Sequence, residues 1–340
     1  MIQTNVLIVG AGPAGAMCAY LLKKAGVECL LIDHATFPRD KICGGGLTSK
    51  SWHLLQQLIP DFNYAFNPVN KIRLDIDGKV QCEFTIDEPI RIVQRRVFDH
   101  ALLQQYIAIG GTFRQAALNT LEEQPDGSII AILKSGERIT CHYVVGADGS
   151  NSRVRRYLKP DTDRGIFVME QYVEKRPENC IDVKLSESYT RGGYYYRFPT
   201  NEFDAVGFGD TTTTLERFRS VMREQGVPAG KERGAYIYLS NDYPLHPNII
   251  LIGDAGGFAH RITCEGLYNS FCTARNAATA IIEQRPFKET NAAIFRKMRH
   301  EERVSNYFYS HTGFMVLKWV CSHPSLTKKI FERKMKRGPQ

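Results

Sequence analysis

Asn5-Val6-Leu7-Ile8-Val9-Gly10-Ala11-Gly12-Pro13-Ala14-Gly15 is the stretch whose reading decides the fold. Val6 to Val9 is a short apolar run that reads as a buried strand, and it ends in a G-x-G-x-x-G turn. Beyond the turn Ala14, Met17, Cys18, Leu21 and Leu22 recur at helical spacing, and a second apolar run, Cys29 to Ile32, stops at Asp33. Each part has a chemical reason. Gly10 lets the turn close, Gly12 lets the backbone approach a pyrophosphate, and Gly15 lets the helix lie close on the strand. The helix starting at Pro13-Ala14 offers free N–H groups and the positive end of its dipole to phosphates. Asp33 is placed to accept from a ribose hydroxyl. A glycine-rich turn without a ligand needs neither this flanking strand and helix nor the acid at this distance. The segment therefore reads as a site for an ADP moiety.

Working outward, 340 residues suffice for one large or two interlocked domains with ample core. The nine cysteines are scattered, without C-x-x-C or Cys/His ligand spacing, so neither a zinc site nor a disulfide framework is expected. That usage fits a reducing cytoplasm. Val6 to Leu22 lacks the basic flank of a secretion signal and is broken by glycines and a proline. No apolar run is long enough to span a bilayer. The net charge of +8 concentrates at the end: Lys318 to Gln340 holds seven Lys/Arg against one acid, Glu332. A solvated helix face is the plain reading of this tail. Ile330, Phe331 and Met335 among the charges also suit peripheral contact with an anionic membrane. Nothing else points to nucleic acid.

After Asp33 comes a loop with three consecutive glycines, Cys43-Gly44-Gly45-Gly46, whose backbone can approach a planar ligand closely. Residues 70–93 alternate weakly around a turn at Asp77-Gly78 and read as antiparallel strands. Arg95 opens a helix carrying Phe98, Leu102, Leu103, Tyr106 and Ile107. Hairpin strands around Asp126-Gly127 follow, then an apolar strand running into Asp148-Gly149. Residues 165–245 are rich in Tyr, Thr, Val and Phe and read as the main antiparallel sheet, with only Thr214 to Glu224 helical. Ile249 to Ile252 is a buried strand entering Gly253-Asp254-Ala255. A strongly periodic helix starts near Gly266, and the remainder is helical and basic.

Three separated turns of this kind resemble the three fingerprints of FAD-dependent enzymes of the p-hydroxybenzoate hydroxylase superfamily. The details are similar to the geranylgeranyl reductase family and its CbrA-like members. Phe37-Pro38-Arg39-x-Lys41-x-Cys43-Gly44-Gly45-Gly46 resembles that family's P-x-x-K-x-C-G-G-G loop, and Arg95-x-x-Phe98-Asp99 its R-x-x-F-D helix start. Tyr194-x-Tyr196-x-Phe198-Pro199 is similar to its aromatic substrate motif, with Tyr196 where the family has Trp. The stretch Gly253 to Gly266 resembles its G-D-A-A-G-F…T-G-E-G segment, with Arg261 replacing Pro and Cys264 replacing Gly. The resemblance covers residues 1 to about 285 well and the basic end more loosely.

It implies an α/β fold: a Rossmann-like FAD-binding domain (1–70, 90–160 and 246–285) interwoven with an antiparallel substrate domain (71–89 and 161–245). A basic helical region, 286–340, follows. Gly10, Gly12, Pro13, Ala14, Gly15 and Asp33 would hold the ADP half of FAD, with Arg95 beside the phosphate-ribityl region. Asp254 would accept from a ribityl hydroxyl, Asp148 and Gly149 would brace the nucleotide crossing with Gly253, and Gly266 would bring a helix N-terminus to the flavin. Such a terminus stabilises a nearby anion by about 0.3–1 kcal/mol. Cys43, Gly44, Gly45 and Gly46 would lie along the ring. Tyr194, Tyr196 and Phe198 would line an apolar substrate channel, and Arg261 would meet an anionic substrate group such as a phosphate. Cys43, Tyr196 and Cys264 are the candidate catalytic residues. The two thiols are expected either to approach each other as a redox pair or to be packed as small hydrophobes. His260 in the same loop reads as structural.

The expected activity is flavin-dependent reduction of C=C bonds in a lipid-like or isoprenoid substrate. The electron donor would be NAD(P)H visiting transiently or a small redox protein, because no second dinucleotide turn exists. The alternative is an FAD-dependent monooxygenase hydroxylating an aromatic or apolar molecule, which the same fold supports. A halogenase lacks support, as its W-x-W-x-I-P motif is absent. A flavin-binding protein without turnover, held at the membrane by its basic tail, is the non-enzymatic rival.

Overall fold

A computed structural model describes residues 2–160, 165–187 and 192–336. The last four positions of the basic tail, Arg337 to Gln340, lie outside the described residues. The chain runs through β1 (Ile2–Val9), α1 (Pro13–Lys24), β2 (Cys29–Asp33), β3 (Gly46–Leu47), α2 (Ser49–Leu58), β4 (Asn67–Ile76) and β5 (Val80–Ile92). Next come α3 (Arg95–Ala108), β6 (Thr112–Gln115), β7 (Leu118–Glu123), β8 (Ile129–Leu133), β9 (Arg138–Gly146) and α4 (Arg153–Leu158). It goes on through β10 (Gly165–Glu174), β11 (Cys180–Leu185), β12 (Tyr194–Pro199), β13 (Phe203–Asp210), α5 (Leu215–Glu224), β14 (Arg233–Tyr238) and β15 (Ile249–Leu251). The helices α6 (Leu267–Ile282), α7 (Phe287–Thr290), α8 (Ala292–Phe308), α9 (His311–Cys321) and α10 (Pro324–Lys336) complete it.

The first sheet has the order β6-β2-β1-β9-β8-β7, with β15 beside β9. Its centre is parallel: β1 pairs with both β2 and β9, β2 with β6, and β15 with the end of β9. Parallel strands are covered on both faces, which is why Val6 to Val9 and Cys29 to Asp33 are buried without a break. Val6, Ile8 and Leu31 face α1, α3 and α6, whereas Leu7, Val9, Leu30 and Ile32 pack with Leu118, Leu121 and Leu133 of the β7–β8 hairpin. A Cβ on Gly15 would lie 1.8 Å from the Gly10 carbonyl oxygen, so only glycine lets α1 start this close to the strand end.

The second sheet has the order β14-β10-β13-β12-β11-β4-β5-β3 and is antiparallel except where β11 runs parallel to β4. It reaches past 71–89: β4 and β5 extend beyond those bounds, and Gly46-Leu47, at the end of the triple-glycine loop, forms its edge. Side chains alternate across it. Met169, Tyr195, Val206 and Phe208 pack with Phe218, Val221 and Met222 of α5, whose start is capped by Thr214 Oγ1 accepting from Arg217 N–H at 3.2 Å. The opposite face of β4, β5 and β11 packs against α9 and α10. Phe84 and Phe331 meet edge to face at 5.4 Å, and Lys318 reaches Asp77 at 2.5 Å.

Candidate active site

One cavity of about 1060 Å³ joins the two sheets and the C-terminal helices. It begins at Gly10, Gly12, Pro13, Ala14 and Asp33 and passes Cys43 to Gly46. It runs under Tyr194, Tyr196 and Phe198 and ends at Leu317, Val320, Ile330, Phe331 and Met335.

At the first end, no side chain caps α1 at Gly12, which leaves its first N–H groups for an anion. Arg39, Lys41, Arg95, Arg153 and Arg156 add positive charge around this part of the wall. Arg95 is held by a two-pronged bond to the buried Asp99, Nε to Oδ1 at 2.7 Å and one terminal nitrogen to Oδ2 at 2.9 Å. Asp33 is fixed by Ala11 N–H at 2.7 Å on Oδ2 and Ala35 N–H at 2.8 Å on Oδ1. Asp148 Oδ2 accepts from Arg153 N–H at 2.6 Å, capping α4, while its buried Oδ1 has no partner among the described residues. Burial pushes that carboxyl's pKa up. Gly149, Asp254 and Gly266 also line the cavity, and α6 begins at Gly266 without a side-chain cap. The uncapped helix, the basic wall and the orphan oxygen together fit a dinucleotide.

Gly15 and Gly253 do not line the cavity. Both are contacts between elements: a Cβ on Gly253 would lie 2.9 Å from Ala14 Cβ, and its φ is +56°. Arg261 also stays out of the lining, although its neighbours His260 and Ile262 are in it. His260 Nδ1 accepts from the N–H groups of Ile262 and Thr263, each at 3.2 Å, which puts Arg261 at the tip of a tight turn. Burial lowers the His260 pKa to about 3, so the ring is neutral and its role is to shape the loop.

The triple glycine serves two neighbours. Cβ atoms on Gly44 and Gly46 would sit 2.6 and 3.1 Å from the Phe198 ring, and one on Gly45 would sit 2.0 Å from the Val93 carbonyl oxygen. Cys43 and Cys264 both line the cavity and both are free thiols. Deep among protein atoms of the wall, the Cys264 thiol is pushed up to about 12. Tyr194 donates to the Thr263 carbonyl at 2.5 Å, and the Tyr196 and Phe198 rings meet edge to face at 5.3 Å. Sequence reasoning missed Glu170, which accepts from the Tyr196 hydroxyl at 2.7 Å. It also missed Glu265, on which Lys50 (2.6 Å), Thr48 (2.5 Å) and Ser51 (3.1 Å) converge, tying α2 to the loop before α6.

Comparison with known proteins bears on this site. Residues 3–166 match the FAD binding domain family. A digeranylgeranylglycerophospholipid reductase of Methanosphaera stadtmanae is 24% identical over 355 residues, spanning 94% of this chain and 86% of that protein. The chain is a flavin-dependent oxidoreductase related to the geranylgeranyl reductases. Its fold is shared with a geranylgeranyl bacteriochlorophyll reductase-like protein of Thermoplasma acidophilum, with TM-score 0.73, 20% identity and coverage of 99% of this chain and 92% of that one. The flavin-dependent brominase Bmp2 is similar at TM-score 0.76 and 17% identity, covering 98% and 93%. The fold of this flavoprotein is thus the p-hydroxybenzoate hydroxylase-like one. Among its described residues no helix is long and apolar enough to cross a membrane.

Proposed function

We propose that this flavoprotein reduces C=C bonds of a lipid-like or isoprenoid substrate. The observation that carries the reading is the far half of the cavity. From Tyr194, Tyr196 and Phe198 it continues between Ile72, Leu74, Ile181 and Val183 of the sheet and Leu317, Phe331 and Met335 of the helices, an apolar path suited to a chain. Bound and reduced, the flavin supplies a hydride. The protein's part is to align the chain beneath the aromatic row and to exclude water. Electrons come, in this proposal, from NAD(P)H or a small redox protein.

The test is anaerobic. Dithionite-reduced holoenzyme is mixed with a geranylgeranyl lipid, and the oxidised flavin band is followed together with product mass. Reoxidation with a gain of two hydrogens in the product supports the reading. Reoxidation only on admitting air, with a hydroxylated product, would move the protein to the monooxygenases. Peripheral membrane contact through the basic α10 is a separate proposal. Ile330, Phe331 and Met335 line the cavity, so the apolar side chains turned outward here are Met315, Val316 and Trp319 of α9. Flotation with anionic vesicles, set against Trp319→Ala, tests it.

A further inference from the structure

Strand β10 carries a carboxyl that the proposed chemistry has not used. Glu170 is fully buried and shares its strand face with Val168, which lines the cavity. The register of four strands decides what it meets. Glu170 stands beside Arg233 on β14 and Gly207 on β13, and Gly207 stands beside Tyr196 on β12. Gly207 is the enabling residue, since a Cβ there would lie 2.3 Å from the Tyr196 ring. With that position empty, the ring lies over β13 and its hydroxyl donates to Glu170 Oε2 at 2.7 Å. Glu170 Oε1 makes no hydrogen bond of normal geometry among the described residues.

The groups facing the carboxyl are few. Arg233 attracts it and also pairs with Asp40 at 3.3 Å. Arg95 acts from α3, the Cys43 backbone N–H approaches from the glycine loop, and Tyr172 lies on β10 itself. Desolvation outweighs these attractions and lifts the carboxyl to about 7, where both protonation states are populated near neutrality.

We propose that Glu170, acting through Tyr196, supplies the proton for the reductive step. This rests on the C=C reductase reading above. Saturating the bond takes a hydride on one carbon, given by bound reduced flavin, and a proton on the other. A protonated Glu170 donates to the Tyr196 oxygen and turns the phenolic hydrogen toward the cavity. The Tyr196 O–H bond then breaks as the new C–H bond forms. The Glu170 proton passes to the phenolic oxygen, leaving a carboxylate that takes its next proton from water when product leaves. Glu170 is a positioning and proton-holding residue; Tyr196 is the group at the wall.

Two isosteric variants, Glu170→Gln and Tyr196→Phe, test this in the FAD-loaded protein. Infrared difference spectra between acid and alkaline pH should show a protonated carboxyl band titrating near 7, absent in Glu170→Gln and shifted in Tyr196→Phe. In the anaerobic assay the wild-type reoxidation rate should fall as pH rises through 7. Each variant should lose on the order of a hundredfold and that pH dependence, with the double variant no worse than either single. A turning-over wild type matched by Glu170→Gln at every pH would overturn the proposal alone. A wild type that shows the carboxyl band but reduces no C=C lipid would overturn the reductase reading and, with it, the destination assigned to the proton.

Discussion

Cys264 adopts φ +52°, a left-handed backbone that L side chains resist and glycine does not. The structure thereby gives a physical reason for the glycine that related sequences were expected to carry at this place. Cys264→Gly should be more stable than Cys264→Ala by about 1 kcal/mol, because both lose the thiol and only glycine relieves the backbone. Urea midpoints of the two variants check it, and equal midpoints would refute the strain. Glu265 gives the opposite kind of case. Glu265→Ala leaves Lys50 buried without its 2.6 Å partner. The loss should be about 3–5 kcal/mol, whereas replacing both residues by apolar ones of similar size should recover most of it. A denaturation series across the wild type and these two variants decides. At this scale legibility was uneven. Tyr194, Tyr196 and Phe198 stood out through their resemblance to an aromatic motif, and as alternate residues of one strand they share a face. Glu170 did not, since a single acid in Ile166-Phe167-Val168-Met169-Glu170 looks like the wet side of a strand, and only register sets it against Tyr196.

Among the elements, α10 has the most to reveal. It was legible as a basic helix, and its charges drew attention to an outward role. The structure instead gives its inner face to the cavity: Phe331 packs on Phe84 and Met335 joins the same cluster. Periodicity reports that a helix has an apolar side but not which surface receives it, and here the receiving surface is β5, more than two hundred residues earlier in the chain. Ending the chain before Pro324 should leave the glycine turn and its strands intact, so that FAD is retained. Affinity for a fluorescent long-chain alkyl probe should fall at least tenfold. Unchanged probe affinity would show that α10 is not a wall of the lipid path. The loop 259–265 shows the reverse limit: its residues were expected beside the flavin, and all of them line the cavity except Arg261, at the tip of the turn made by His260.

For the whole molecule, two buried groups set opposing pH responses. The Glu170 carboxyl is raised from 4.5 to about 7, so its contribution is fully present below 4.5 and is lost as pH rises through 7. The His260 ring is lowered from 6.5 to about 3, so its contribution is present above 6.5 and is lost as pH falls toward 3. On acidification from neutrality the two changes offset one another. Glu170→Gln should therefore lose stability relative to wild type between pH 7 and pH 5, and His260→Asn should gain over the same interval. Urea unfolding at the two pH values measures both, and a parallel response of wild type and Glu170→Gln would count against the Glu170 assignment. The dinucleotide half was legible because its glycines, helix and acid are local in sequence. The second sheet was legible as strands but not as an order, because its neighbours are set by long-range pairing.

That order has a temporal side. The β4–β5 hairpin is finished early in the chain, yet the outer edge of β4 pairs with Cys180 to Leu185, which follow the whole of β6 to β9. During synthesis the hairpin must wait, with one edge of main-chain N–H and C=O groups open, while the first sheet is made. Closing so long a loop slows folding, and an open edge is a template for pairing with another nascent chain. The parallel seam between β11 and β4 in the second sheet is thus one place where chain growth leaves a strand edge open, as the wait of β1 for β9 is in the first.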